Sequence, residues 1–279
     1  MTTLRKLLII CLAGLASISC AKKADAPFFF IQVTDPQMGF KEKGSIERSV
    51  GYLTETVEAI NRLHPSFVVV TGDMLNHWNS EEELAAYREL MSKVDSSIPV
   101  YEIPGNHDYR PEKEIESAQA YFDHFGGTDR FCFVHNKSLF IGINSCYIKE
   151  DDVEKEAEQY AWLTDNIKKV RNEVNHIFLF THCSIIKESP DEEEDYFCFQ
   201  EPYRSKYLKL CREYGIDAVF SGHFHRKRFC EYEGTQFVTC TASGFPLGDG
   251  FTGINVVAVH PDSFSWEMVP QAEAVAPAL

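Results

Sequence analysis

Phe28-Phe29-Phe30-Ile31-Gln32-Val33-Thr34-Asp35-Pro36-Gln37 passes from an almost unbroken apolar run into an acid, a proline and an amide. A run of that length and character reads as a strand buried on both faces. The pattern returns four times. Phe67 to Val70 leads into Gly72-Asp73, and Val100 to Ile103 into Gly105-Asn106-His107-Asp108. Ile177 to Phe180 leads into Thr181-His182, and Ala218 to Phe220 into Gly222-His223-Phe224-His225. In open α/β sheets, ligands and chemistry collect just beyond the carboxyl ends of strands. Five such strands would deliver their polar ends to one place.

Between these runs the periodicity is helical. Ile46 to Leu63 spaces Val50, Leu53, Val57 and Ile60 on one face and stops before Pro65. Ser80-Glu81-Glu82-Glu83 has the form of a capping box and predicts a helix to about Val94. Further helices are expected over Lys113 to Phe125, Val153 to Val170, and Tyr203 to Tyr214 ahead of Gly215. Two hairpins are expected: Phe131 to His135 with Leu139 to Asn144 around Asn136-Lys137-Ser138, and Arg228 to Tyr232 with Thr235 to Cys240 around Glu233-Gly234. Ile254 to His260 and Phe264 to Val269 form a last pair. The expected fold class is α/β, a layered domain of two packed mixed sheets covered by helices over residues 27–270. The Ala-rich end, Gln271 to Leu279, is expected to be loose.

The polar clusters suit a pair of divalent ions. A bridging ligand must serve both ions, and the two oxygens of a carboxylate do so; Asp73 fits. Asp35 and His225 would complete one site; Asn106, His182 and His223 would complete the other. His with carboxylate suits Mn, Fe or Zn. Such a pair lowers the pKa of a shared water and steadies the entering and leaving oxygens of a phosphoester. His107, beside Asn106, is assigned as general acid, with Asp108 as its orienting partner. Gly105 is expected to permit the tight turn that points Asn106 inward. His64, His77, His124, His135, His176 and His260 are read as ordinary structural histidines.

Bulk composition sets limits. The chain has 279 residues, 44% of them hydrophobic, enough for one domain with a full core. Its formal charge of -15 argues against non-specific binding to nucleic acid or anionic lipid. Arg5-Lys6, the short apolar stretch Leu7 to Ala16 and the small residues before Cys20 read as an export signal of lipoprotein type, with Cys20 lipidated; an ordinary signal peptide is the alternative. Residues 21–26 would be a linker. The cysteines, Cys132, Cys146, Cys211 and Cys240 among them, are read mainly as small buried hydrophobes.

Asp35, Asp73, Asn106-His107, His182, His223 and His225 together resemble the calcineurin-like metallophosphoesterase superfamily over nearly the whole chain beyond the signal. The resemblance implies a four-layer α/β/β/α sandwich and two divalent metals at the sheet edge. Asp35-Pro36-Gln37 departs from the usual Asp-x-His, so the resemblance implies Gln37 as a metal ligand through its amide oxygen, a weaker and harder donor than imidazole. Together with the acidic insert Asp191-Glu192-Glu193-Glu194-Asp195-Tyr196-Phe197 and Ser221 to Arg226, the tripeptide resembles the branch of calcineurin-like phosphoesterase domain-containing proteins related to an animal protein phosphatase. The Tyr ligand of purple acid phosphatases is absent, because Asn76 stands there.

The implied activity is hydrolysis of a phosphomonoester, on phosphorylated protein or a small phosphate. A phosphodiesterase, or an envelope binding module weakened by Gln37, is the alternative. Arg110, Tyr196 and Phe197 are read as substrate-binding, and the acidic loop as selecting substrates with basic groups. A monomer is expected, with no nucleic-acid partner and membrane contact only through the anchor.

Overall fold

A computed structural model describes residues 26–111 and 113–279. The signal, Cys20 and the linker up to residue 25 lie outside the described residues. Chain order is β1 (Phe28–Val33), α1 (Glu47–Leu63), β2 (Val68–Thr71), α2 (Glu81–Met91), β3 (Val100–Ile103) and α3 (Glu116–His124). There follow β4 (Phe131–His135), β5 (Ser138–Gly142), α4 (Cys146–Lys149), α5 (Val153–Val170), β6 (His176–Phe180) and α6 (Tyr203–Tyr214). The chain ends with β7 (Ala218–Ser221), β8 (Arg228–Tyr232), β9 (Thr235–Thr239), β10 (Ile254–Val259) and β11 (Phe264–Val269).

Two mixed sheets result. One has the order β11-β10-β1-β2-β3, the other β4-β5-β6-β7-β9-β8. The strands whose ends carry the polar clusters are parallel neighbours: β1 with β2 and β2 with β3 in one sheet, β6 with β7 in the other. The antiparallel hairpins sit at the outer edges.

Alternation along each strand splits the core into three. Ile31, Val33, Val68 and Val70 face α1 and α2. Leu139, Ile141, Ile177, Leu179 and Val219 face α5 and α6. Between the sheets lie Phe28, Phe30, Phe67, Phe140, Phe178, Phe180 and Phe220. Phe30 stacks on Phe67 at 5.1 Å and meets Phe140, Phe178, Phe180 and Phe220 at tilted or edge angles. Each such ring contributes about 1.5–3 kcal/mol by leaving water, so this aromatic slab is the main bond between the sheets.

Several expectations shift in detail. Asn136 and Lys137 both take positive φ, so the first hairpin turns on two residues and Ser138 already belongs to β5. The α2 helix stops at Met91, with Ser80 capping Glu83 N as expected. The four-residue α4 was not foreseen. Cys132 is exposed on the edge strand β4, contrary to the buried reading, whereas Cys146, Cys211 and Cys240 are buried. The end segment is not loose throughout: Gln271 is buried, donates to Thr56 Oγ1 and Ser243 O, and its carbonyl and that of Ala274 accept from Arg62.

Candidate metal centre

Asp35, Gln37, Asp73, His223 and His225 all have positive φ. Non-glycine residues rarely take this left-handed conformation, and it costs on the order of 1–3 kcal/mol each. Here it lets one short loop after each of β1, β2 and β7 turn its side chain back over the gap between the sheets. Close approach sets the glycines beside them. A Cβ on Gly105 would lie 2.1 Å from Asp73 Oδ1 and 2.3 Å from Asp73 N, and one on Gly222 would lie 1.8 Å from Thr34 Oγ1. The expectation that Gly105 supplies a special turn is therefore replaced by a need for space.

Potential ligand atoms of Asp35, Asp73 and His225 lie within 4.8 Å of one another, and those of His182, Cys183 and His223 form a second group. Asp73 Oδ1 is also 3.4 Å from His182 Nε2, and Asn106 Oδ1 is 3.2 Å from the same nitrogen. Asp73 thus stands between both groups, where a bridging carboxylate belongs.

Three imidazoles have one ring nitrogen against a backbone carbonyl. His182 Nδ1 donates to Thr71 O at 2.8 Å, His225 Nδ1 to Phe245 O at 2.7 Å, and His223 Nε2 to Tyr196 O at 3.3 Å. A carbonyl only accepts, so each of those nitrogens carries the proton and the other is left as a donor to a metal. Asn106 is fixed likewise: its Nδ2 donates to Tyr196 Oη at 2.9 Å, which leaves Oδ1 for ligation.

Two buried acceptors have no hydrogen-bond donor: Gln37 Oε1, and Asp35 Oδ1, which lies 3.2 Å from His225 Nε2, a nitrogen left without a proton once Nδ1 donates to Phe245 O. Leaving such atoms unpaired costs about 1–3 kcal/mol each, which a cation in the site removes. The donor set therefore fits two divalent ions. Electrostatics agrees. Burial raises Asp73, but the charges of His182 and His107 outweigh it and hold the carboxyl below its usual range. Burial likewise opposes ionisation of Asp35, and His225 overcomes it. Burial and the neighbouring His182 push His223 down to about 3. The site favours buried carboxylates held by positive charge.

His107 is half-buried at this site. Its backbone N–H donates to Asp73 Oδ1 at 2.9 Å, and Nδ1 donates to Asn76 O at 2.8 Å. Asp108 does not orient it, contrary to the sequence expectation. The Asp108 carboxylate accepts from three backbone groups instead: Gly105 N at 2.9 Å, Leu75 N at 3.0 Å and Met74 N at 3.2 Å. It ties the loop after β3 to the loop after β2. Burial and the Asp73 carboxylate push Asp108 up to about 7; cations beside Asp73 would cancel that repulsion.

Other expected site residues fare differently. Arg110 is held by Glu114, which also accepts from the Trp78 indole, so Arg110 is not a free phosphate contact. Tyr196 and Phe197 do reach the centre, with rings 4.7 and 5.3 Å from that of His223. The acidic insert is largely spent on its own backbone. Glu192 accepts from the N–H groups of Lys187 and Glu188, Glu194 from Glu201, and Asp195 from Phe197 and Cys198 while pairing with Lys187.

Sequence reading missed Thr34, whose hydroxyl donates to Asp35 Oδ2 at 2.7 Å. It also missed Glu83, which accepts from Asn76 N and His77 N and so fixes the carbonyl that holds His107. The adjacency of Thr34 to Asp35 was a usable signal; the Asn76 carbonyl, a backbone atom, left none.

Comparisons with known proteins accord with this geometry. The calcineurin-like phosphoesterase family matches residues 30–227. The serine/threonine-protein phosphatase CPPED1 of Homo sapiens is 30% identical over 268 residues, covering 88% of this chain and 85% of that protein. The Danio rerio protein of the same name is 29% identical, covering 85% and 83%. Among solved structures, a dimetal phosphatase from Danio rerio superposes with a TM-score of 0.64 at 15% identity, covering 88% of this chain and 97% of that one. A purple acid phosphatase from yellow lupin gives 0.69 at 14% identity, covering 90% and 53%. These two likenesses concern the fold. The chain belongs to the calcineurin-like phosphoesterase family and is a metal-dependent phosphatase with a dinuclear centre.

Proposed function

We propose that this chain hydrolyses phosphomonoesters, with His107 protonating the leaving oxygen. The supporting observation is the placement of His107. Its backbone is fixed to Asp73, and its Nδ1 is committed to the Asn76 carbonyl. Nε2 is then the nitrogen left to carry a proton to substrate. When bound, the two ions supply Lewis acidity and lower the pKa of a shared water. Asp35, Gln37 and His225 would hold one ion, Asn106, His182 and His223 the other, and Asp73 both. Tyr196 holds the Asn106 amide in its ligating orientation.

The test compares an aryl phosphate monoester with its bis-ester, before and after chelation and metal return. Hydrolysis of the monoester in preference, lost on chelation and restored by metal, supports the reading. Preference for the bis-ester would make the protein a phosphodiesterase. We further propose that the chain is exported and anchored to the cell envelope through lipidated Cys20. Cys20→Ser should abolish lipid labelling, and unchanged labelling would refute the anchor. Among the described residues no helix is long and apolar enough to cross a membrane.

A further inference from the structure

Beside His107 the chain carries cations that no carboxylate holds. Phe40 follows the β1 loop, and its ring lies 5.4 Å from that of His225 and 6.4 Å from that of His107. It also meets Phe245 at 6.3 Å. Lys41 Nζ stands 5.6 Å from the centres of both phenyl rings, and the Arg48 guanidinium 5.2 Å from Phe245. A shallow cavity of about 410 Å³ next to these rings is lined by Lys41, Glu42, Lys43, Ser45, Glu47 and Arg48.

Charge accounting there is uneven. Glu42 is already used: it accepts from Arg48 N and Ser49 N, both at 2.9 Å, and from the Ser49 hydroxyl. Among the described residues, Lys41, Lys43 and Arg48 have no carboxylate within ion-pair distance, although Glu47 shares the lining and the Arg48 charge helps hold the Glu42 carboxyl below its usual range. On the opposite rim most cations are matched, Lys187 with Asp195, Arg226 with Asp249 and Arg228 with Glu188, while Lys227 lies over the Trp266 ring. In a chain of net charge -15, Lys41 on Phe40 and Arg48 on Phe245 are exposed cations with no carboxylate within ion-pair distance, beside the ring that touches the general acid, and Lys43 adjoins them in the cavity lining; that grouping asks for an anion.

We propose that Lys41 and Arg48, over the Phe40–Phe245 floor, with Lys43 beside them in the cavity lining, form a subsite for a second anionic group carried by the leaving group of the substrate. The placement specifies the leaving group, because the floor touches His107, the residue that protonates it. The substrate class is then a phosphomonoester whose alcohol portion bears a carboxylate or a further phosphate, in place of the basic substrates expected from the acidic insert. This inference rests on the phosphomonoesterase reading.

The experiment measures kcat/KM of the metal-loaded full chain on phosphoserine peptides flanked by Asp, by Asn or by Lys, and on a sugar bisphosphate against its monophosphate. Two exposed contacts of about 0.5 kcal/mol each give about a fivefold preference for the Asp-flanked peptide over the Asn-flanked one. In the Lys41→Asn/Arg48→Gln double variant that ratio should fall to about one, since only exposed side chains change. Asn also tolerates the positive φ of 55° at Lys41.

Preference for the peptide alone would identify an acidic polypeptide as the source of the anion, and preference for the bisphosphate a small molecule. The wild-type ratio should also shrink as salt rises, because exposed charges are screened over about 10 Å at 0.1 M. That measurement needs no variant and decides the matter if the double variant misfolds. An active enzyme with no acidic preference, with a salt-independent ratio, or with an unchanged ratio in a folded variant would overturn the inference alone. Absence of hydrolysis on every monoester would overturn the phosphomonoesterase reading and the inference with it.

Discussion

Replacing Asp108 with Asn separates an anchor from a catalytic dyad. In the structure Oδ2 accepts from Gly105 N and Met74 N, and Oδ1 from Leu75 N. An amide can present only one oxygen. Turned the better way, Asn keeps Gly105 and Met74 and sets its NH2 against Leu75 N–H, so one charge-assisted bond is lost and one buried donor is unpaired. Hydrogen bonds to a charged group contribute about 1.5–3 kcal/mol, and the two bonds kept also become neutral. A loss of about 2–4 kcal/mol is expected, whereas Asp108→Ala, losing all three bonds, should cost more. Urea unfolding should show a lower midpoint at unchanged slope. Kinetically, a displaced loop carries Asn106 and His107 away together, so hydrolysis of alkyl and aryl phosphates should fall by similar factors. A dyad partner of His107 would behave otherwise: stability would hold, and alkyl phosphates, which need a protonated leaving group, would suffer selectively. Unchanged stability with an alkyl-selective loss would refute the anchoring role.

Gly105→Ala should empty the centre, because the added methyl would overlap both Asp73 Oδ1 and Asp73 N; elemental analysis after dialysis checks this, and full metal content would contradict the packing argument. Gln37→Ala should loosen the ion held by Asp35 and His225 in chelator competition and leave the other ion alone. If Gln37 does not ligate, the same change only removes an unpaired buried acceptor, and both ions should bind as before. Far from the metals, the hydrogen bond to Asp217, with its charge, raises His176 above its usual range despite burial. The folded pKa exceeds the unfolded one, so this stabilisation is complete below about pH 6.5 and is lost as pH rises through the folded value. The His176→Gln variant should therefore differ from wild type in unfolding midpoint more at about pH 6 than at about pH 8; a gap of equal size at both would exclude the pair.

The layers, and the gathering of these side chains at one centre, were legible because each is written in residue types. Apolar runs such as Phe28 to Val33 announce buried strands, and Asp35, Asp73, His182, His223 and His225 supply groups with few other uses in such positions. What escaped was written in the backbone. Asp108 sits next to His107 in sequence, yet its carboxylate faces the N–H groups of Gly105, Met74 and Leu75, and the Asn76 carbonyl takes its place. Adjacency gave no direction, since neighbouring side chains on a turn diverge. The buried polar layer beneath the centre was equally silent. Gln32 donates to Thr71 and Ser221 O and accepts from Asn255, but in the sequence it is a lone amide within apolar strands.

The acidic insert shows why composition misleads about local field. Asp191 to Asp195 is the densest run of negative charge near a metal ligand, and by count it should govern the approach of substrate. Yet a carboxylate that accepts two backbone N–H groups, as Glu192 and Asp195 do, has much of its field answered at short range, and Lys187 answers more. These acids build the loop that brings Tyr196 to Asn106 and Phe197 to His223. Lys41, Lys43 and Arg48 are few, but no carboxylate stands within ion-pair distance of them, and Lys41 and Arg48 border Phe40 and Phe245 at the edge of the centre. The field a substrate meets is set by charges the fold has left unanswered, so a chain of net charge -15 can still present a cationic entrance to its active site.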